Sequence, residues 1–214
     1  MSNQPPVQPE ISYIPPQSVV YCTPSSSWTD LNQYEADGNH PHAFYDRGYF
    51  SEEVRSGEVL DGDWDIGELL RFDQLLEYEA VRDHLNGIRP WSESRFADRC
   101  VRYIELGGKA RGCTDPHEIR SKRESEIDVL IESVLRDGVR SAKELDGAAR
   151  PWDEISVNIS RDGSPLFNNR GQTRLALAQL LNIKLVPVQV VVRHASSPSR
   201  HLVTGAWEKA FGSS

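Results

Sequence analysis

The segment PWDEISVNISRDGSPLFNNRGQTRLALAQLLNIKLVPVQVVVRH, residues 151–194, has the clearest succession of local structural signals in the chain. Its first part predicts a strand over residues 154–159, because apolar side chains there recur at every second position. These side chains are Ile155, Val157 and Ile159. Residues 161–163 (Arg-Asp-Gly) predict a tight turn, and residues 165–167 predict a short returning strand.

The second part of the segment predicts a helix and a buried strand. Residues 168–171 (Asn-Asn-Arg-Gly) interrupt the returning strand, and residues 173–181 carry leucine and alanine at helical spacing. Residues 185–192 are rich in valine and too continuously apolar for an exposed edge strand. The predicted order is therefore strand, turn, strand, loop, helix and buried strand.

The loop before the helix is the predicted binding site. Gly171 would let the backbone approach a ligand closely, and the free amides and dipole of a helix start favour an anion. Arg174 lies in the first turn and can offer its planar guanidinium group to phosphate oxygens. Arg170 and Arg161 could join it from the two loops.

A set of residues in this segment carries a family resemblance: Asp162-Gly163, Leu166-Phe167, residues 171–178 (GQTRLALA), Ile183 and Val186-Pro187-Val188. In this order they resemble the amino-terminal domain of the ParB-like superfamily, which also includes sulfiredoxin and a free-serine kinase. The resemblance implies a G-x-x-R-x-x-A helix with nucleotide phosphates at its start. The chain has Gln172 where sulfiredoxins have a cysteine, and Thr173 where a histidine is frequent.

Two classes of function follow from these residues. The first is binding of CTP, ATP or another phosphorylated small molecule, with hydrolysis or phosphoryl transfer as its catalytic form. Asp153 or Glu154, or an acid of residues 61–65, would then bind Mg²⁺ or act as base. The predicted ligand contacts are Arg161, Asp162, Arg170, Gly171, Gln172, Thr173 and Arg174.

The second class is a non-catalytic regulatory module that contacts DNA or a protein partner, although the net charge of −8 disfavours DNA. In a third interpretation, Arg174 only pairs with an internal acid such as Asp162 or Glu154.

A second site candidate lies in residues 61–65, which read DGDWD. Asp61, Asp63 and Asp65 could bind a metal ion or the hydroxyl groups of a substrate, with Trp64 stacking on a ring. Alternatively, the acids accept hydrogen bonds within a turn while Trp64 fills the core.

Composition limits the class of protein. The 214 residues are 38% hydrophobic, and no apolar run approaches the roughly 20 residues of a membrane span. No secretory signal is recognisable at the amino terminus. The three cysteines, Cys22, Cys100 and Cys113, are widely spaced and odd in number, which favours a reducing cytoplasm over a disulfide framework.

The rest of the chain predicts an α+β fold in which helices pack on a small mixed ParB/sulfiredoxin-like sheet. Residues 1–27, rich in proline and serine, are expected to be a disordered tail, part of which could lie across the domain as an extended arm. Residues 28–150 are expected to be mainly helical, and residues 151–214 to form the core segment with a final helix. Helices are predicted from Phe72 to near Gly87, over 91–106, and from Asp115 to Gly138. A further short helix is predicted over 51–55.

Overall fold

Strand β5 (Val186–His194) is the central strand of the fold. The structure is a computed structural model that describes residues 11–24, 57–67, 69–147 and 153–198. In this part of the chain, five strands form one mixed sheet. The other four are β1 (Ile11–Ile14), β2 (Glu58–Leu60), β3 (Ile155–Ile159) and β4 (Pro165–Phe167).

Both edges of β5 are paired and both of its faces are buried, and the burial of both faces explains its continuous run of apolar residues. One side runs parallel to β3, which in turn forms an antiparallel hairpin with β4. On the other side, β1 pairs antiparallel with the first half of β5 and β2 pairs parallel with its last residues. The hairpin turns at Gly163, whose φ of 88° suits a residue without a side chain. The predicted succession of strands along residues 154–192 is therefore confirmed.

Helix α5 (Gln172–Leu180) packs on one face of this sheet, as its apolar spacing predicts. Its buried residues join alternate residues of β3 and β5 in the main core, which are Leu175, Ala176, Leu177, Ala178, Ile155, Val157, Ile159, Val186, Val188 and Val190. Phe167 and Phe72 complete this core with ring centroids 4.8 Å apart. The core thus joins the predicted ParB-like segment to the helical part of the chain.

The helical layer consists of α1 (Leu76–Leu85), α2 (Arg95–Glu105), α3 (Pro116–Asp137) and the short α4 (Ala142–Asp146). Three-residue 3₁₀ helices occur at Pro16–Ser18, Phe72–Gln74 and Trp91–Glu93. The layer has its own core around the fully buried Trp91 and Cys100.

Local capping signals set the ends of the two longest helices. Asp115 caps α3 with Pro116 in its first turn and Gly138 at its end, as predicted. The predicted helix over 91–106 instead begins at Arg95, because the Ser94 side chain, not that of Ser92, accepts the capping hydrogen bond from the amide of Ala97.

For residues 11–24 the expectation of a disordered tail is wrong, and the alternative of an extended arm across the domain agrees with the structure. Ile14, Val19 and Cys22 are buried in the main core, and the Cys22 amide donates to the carbonyl of Leu70 at 2.8 Å. The side-chain amide of Gln179 on α5 holds the carbonyls of Pro16 and Val19. This segment is ordered because the free edge of β5 supplies the hydrogen bonds and apolar surface that the segment lacks alone.

The predicted helix over 51–55 lies outside the described residues, and so does the predicted helix over 196–211 except for residues 196–198, which are not helical. Among the helices that the structure describes, none is both long and apolar enough to cross a membrane.

Candidate functional site

The loop before α5 is held by the side chain of Ser156 on strand β3. The hydroxyl of Ser156 accepts hydrogen bonds from the amides of Asn169 (3.2 Å) and Arg170 (2.9 Å). The amide of Ser156 donates to the carbonyl of Arg170 at 3.1 Å, and the amide of Asn168 donates to the carbonyl of Ser156 at 3.0 Å. The start of the helix is therefore fixed against the beginning of β3.

Gly171 is required at this position by the protein itself. It has a left-handed conformation with φ 74° and precedes the first residue of α5. A Cβ atom here would lie 2.7 Å from both Cα and Cγ1 of Ile155. The close approach that its missing side chain allows is to strand β3, and approach of a ligand to Gly171 stays a prediction.

Arg170 and Arg174 flank the first turn of α5, where the amide groups have no acceptor inside the helix. Arg174 donates a hydrogen bond to the carbonyl of Asp153, and both arginines are partly buried. Burial, followed by the nearby charge of Arg174, lowers the pKa of Arg170 to about 10. Burial also lowers the pKa of Arg174, although the charges of Glu154 and Asp153 oppose this shift. Two partly buried arginines therefore lie on either side of the positive end of a helix.

Glu154 places a buried carboxyl group beside Arg174. Glu154 is 2% exposed, and its Oε1 accepts a hydrogen bond from the Ala142 amide at 2.8 Å. Its Oε2 is buried without a hydrogen-bond partner among the described residues. Burial raises the pKa of Glu154, and the charge of Arg174 only partly offsets this effect. Asp153, by contrast, is exposed. The two predicted catalytic acids thus lie at the same end of β3 as the helix start.

Thr173 points into the protein and not toward a ligand. It is 4% exposed, and its hydroxyl donates to the buried carboxyl group of Glu77 on α1. The same hydroxyl accepts a hydrogen bond from Arg123 on α3 at 3.1 Å. The predicted ligand contact at Thr173 is therefore corrected to an internal contact with the helical layer. Its neighbour Gln172 is partly exposed at the helix start.

Arg161 and Asp162 do not reach this site, and their prediction as ligand contacts is wrong. They form the turn between β3 and β4, whereas the loop before α5 follows β4 and returns to the opposite end of the hairpin. Arg161 instead donates to both oxygens of Asp65 and to Asp63. Asp162 accepts hydrogen bonds within its own turn, from the Ser160 hydroxyl and the Ser164 amide.

The second of the two interpretations of residues 61–65 agrees with the structure. Asp61 accepts from the amide of Gly62 at 2.8 Å, and the side chain of Asp65 is 1% exposed in its ion pair with Arg161. Trp64 is buried against Leu166, Val191 and Val192. Across the residues that the structure describes, no group of three or more His, Cys, Asp or Glu side chains could hold a metal ion. Asp63 and Asp65 therefore anchor the β3–β4 turn through Arg161.

A separate polar cleft of about 520 Å³ lies between the Trp91–Glu93 turn and α3. Two of its acids are engaged by the protein. Glu124 accepts a hydrogen bond from the Ser92 amide, and Asp128 lies 2.8 Å from Nε2 of His84. Since Nδ1 of His84 accepts from the Trp91 amide, these contacts hold α1, the turn and α3 together.

Three residues that shape the helix start were missed by sequence reasoning: Ser156, Glu77 and Arg123. Ser156 lies on the polar side of a strand, and Glu77 and Arg123 occur in charged helices that predict a solvated face. No local signal in the sequence identifies them, because their partners are 13 to 96 positions away.

Comparisons with protein families, curated proteins and solved structures found no match for this chain. The fold and the site are therefore described by their architecture alone. The chain is an α+β protein with a mixed sheet, several packed helices and a cationic helix start.

Proposed function

We propose that the chain binds a nucleoside triphosphate, or another phosphate-bearing ligand, at the start of α5 in the manner of ParB-like domains. The free amides of the first turn and the guanidinium groups of Arg170 and Arg174 would contact the phosphate oxygens. Charge-assisted hydrogen bonds of this kind are among the strongest that proteins make.

The pair of arginines is the observation that carries this proposal. The charge of Arg174 in the first turn of α5 repels that of Arg170, which precedes the helix, and a helix start already has a positive potential. Burial makes both charges more costly, as the lowered pKa values of Arg170 and Arg174 indicate. A bound phosphate would offset all three effects at once, beyond the contact of Arg174 with the carbonyl of Asp153 and the nearby charge of Glu154.

The catalytic form of the proposal uses Asp153 and Glu154. Mg²⁺ usually binds through one or two carboxylates together with the phosphates of the substrate, so it needs no larger cluster of protein ligands. The exposed Asp153 is suited to that contact. Glu154, with its raised pKa and an oxygen without a partner among the described residues, is suited to take a proton from an attacking hydroxyl group. Hydrolysis or phosphoryl transfer would then follow binding.

Calorimetric titration with CTP and with ATP, each with Mg²⁺, tests the binding proposal. Arg170→Ala and Arg174→Ala should each weaken binding by about 1.5–3 kcal/mol, or roughly ten- to a hundredfold. Arg136→Ala is the matched control, because Arg136 is an exposed arginine paired with Asp137 on α3. The proposal is wrong if the wild-type protein binds neither nucleotide nor inorganic triphosphate.

Phosphate release measured with Asp153→Asn and Glu154→Gln tests the catalytic form separately. Both variants should still bind nucleotide but release phosphate more slowly. If duplex DNA gives a salt-sensitive mobility shift that survives Arg174→Ala, the regulatory alternative is favoured instead.

A further inference from the structure

The first turn of α5 is positioned from outside the helix. Gly171 at its start has no side chain with which to cap the amides, unlike Ser94 and Asp115 at the starts of α2 and α3. The Thr173 hydroxyl instead joins two other elements, donating to Glu77 on α1 and accepting from Arg123 on α3.

This contact belongs to a buried chain of polar groups, the Thr173 network, formed by Thr173, Glu77, Arg123 and Arg111. Glu77 is 0% exposed and forms an ion pair with Arg111, whose guanidinium lies 5.5 Å from the centroid of the Phe96 ring. The Arg123 side chain is 19% exposed and also pairs with Glu126. Three helices and the loop at Arg111 therefore converge on one hydroxyl group in the first turn.

Such a network matters for anion binding because amide donors act only when they are aimed at the ligand within a fraction of an ångström. In a helix with a local cap, residues next to the first turn fix the direction of its amide groups. In α5 that direction depends on the packing of Gly171 against Ile155 on one side and on the hydrogen bonds of Thr173 on the other.

We propose that Thr173, held between Glu77 and Arg123, is a positioning residue that sets the first turn of α5 for phosphate binding. This inference rests on the function proposed above. Thr173 and its two partners act through the helix and do not touch the phosphate.

The test measures the Kd of ATP, CTP and inorganic triphosphate, with Mg²⁺, far below the melting temperature. Thr173→Val should weaken binding by roughly tenfold or more, since small misplacements of binding groups have effects of this size. Thr173→Ser, which keeps the hydroxyl, should restore the wild-type Kd. Thr114→Val changes an exposed threonine and should have no effect.

Glu77→Leu separates positioning from simple electrostatics, because leucine removes both the charge and the oxygen that accepts from Thr173. Loss of a negative charge near an anion site tightens binding if charge alone matters, whereas loss of the acceptor weakens binding if Glu77 positions Thr173. Arg123→Ala provides a second measurement should Thr173→Val or Glu77→Leu fail to fold, and it should also weaken binding.

An unchanged Kd in folded Thr173→Val or Arg123→Ala, or tighter binding by Glu77→Leu, overturns the inference and leaves the binding site itself standing. If wild-type protein binds none of the three probes, the proposed function and this inference are both overturned.

Discussion

Replacing Gly171 with alanine gives the sharpest test of the structure. A Cβ atom at this position would lie 2.7 Å from the Cα atom of Ile155, so the backbone of β3 or the start of α5 must move. The left-handed conformation adds strain for any residue with a side chain. Since both penalties act at one atom, the substitution should be strongly destabilising.

The expected loss combines the two effects. A left-handed conformation costs alanine about 1–2 kcal/mol, and overpacking of a filled site costs about 1–3 kcal/mol more. The sum of about 2–5 kcal/mol should lower the melting temperature by roughly 4–20 °C for a chain of this size. Urea denaturation should show a lower midpoint with an unchanged m-value.

Gly87→Ala is the matched control. Gly87 has φ 65°, close to the 74° of Gly171, but a Cβ atom there would meet nothing within 4 Å. It should therefore lose only the backbone contribution of about 1–2 kcal/mol. If the two variants have equal stability, Gly171 is not wedged against Ile155 and the packing of α5 on β3 described above is wrong.

Three further outcomes are expected. Because burial raises the pKa of Glu154, the stability of the wild type should fall as pH rises through the folded pKa of this group, and Glu154→Gln should gain stability at pH 7 but not at pH 4. Burial alone would raise the pKa of Asp65, but the hydrogen bonds of Arg161 outweigh it and lower the pKa, so the stability that Asp65 contributes is present above its unfolded pKa. That contribution should disappear as pH falls through the folded pKa, and Asp65→Asn should flatten this acid transition in thermal melts taken from pH 6 to pH 2. The thiols of Cys22, Cys100 and Cys113 are buried and form no disulfide, so they should react with Ellman's reagent at pH 8 only after unfolding in urea. Fast reaction in the native protein would contradict that burial.

Hairpin geometry explains which predicted site residues come together. The two strands of a hairpin run in opposite directions, so the residues before β3 and the residues after β4 lie at the same end of the hairpin. Asp153, Glu154 and Arg174 lie at that end, whereas Arg161 lies in the turn at the other. The strand prediction thus contained the information needed to separate Arg161 from the helix start, although its charge suggested the opposite.

For the amino-terminal segment the sequence left two expectations open, a disordered tail and an extended arm across the domain. Residues 11–24 contain apolar positions such as Ile14 and Val19, but their prolines and polar residues are typical of a tail. The segment is ordered because β5 has an unpaired edge, and that edge exists only after the sheet has assembled.

The succession of strands and helices could be predicted from the sequence, because hydrophobic period, capping residues and turn residues act between near neighbours. The sequence also indicated two concentrations of charge, the acids of residues 61–65 and the cationic start of α5. Only the tertiary structure established which charged and polar side chains meet: Arg161 with Asp65, Thr173 with Glu77 and Arg123, and Arg174 beside Glu154. The physical reason is that a charged or polar side chain accepts any complementary partner within reach, and reach across 20 to 100 positions is set by the packing of the sheet and helices and not by spacing along the chain.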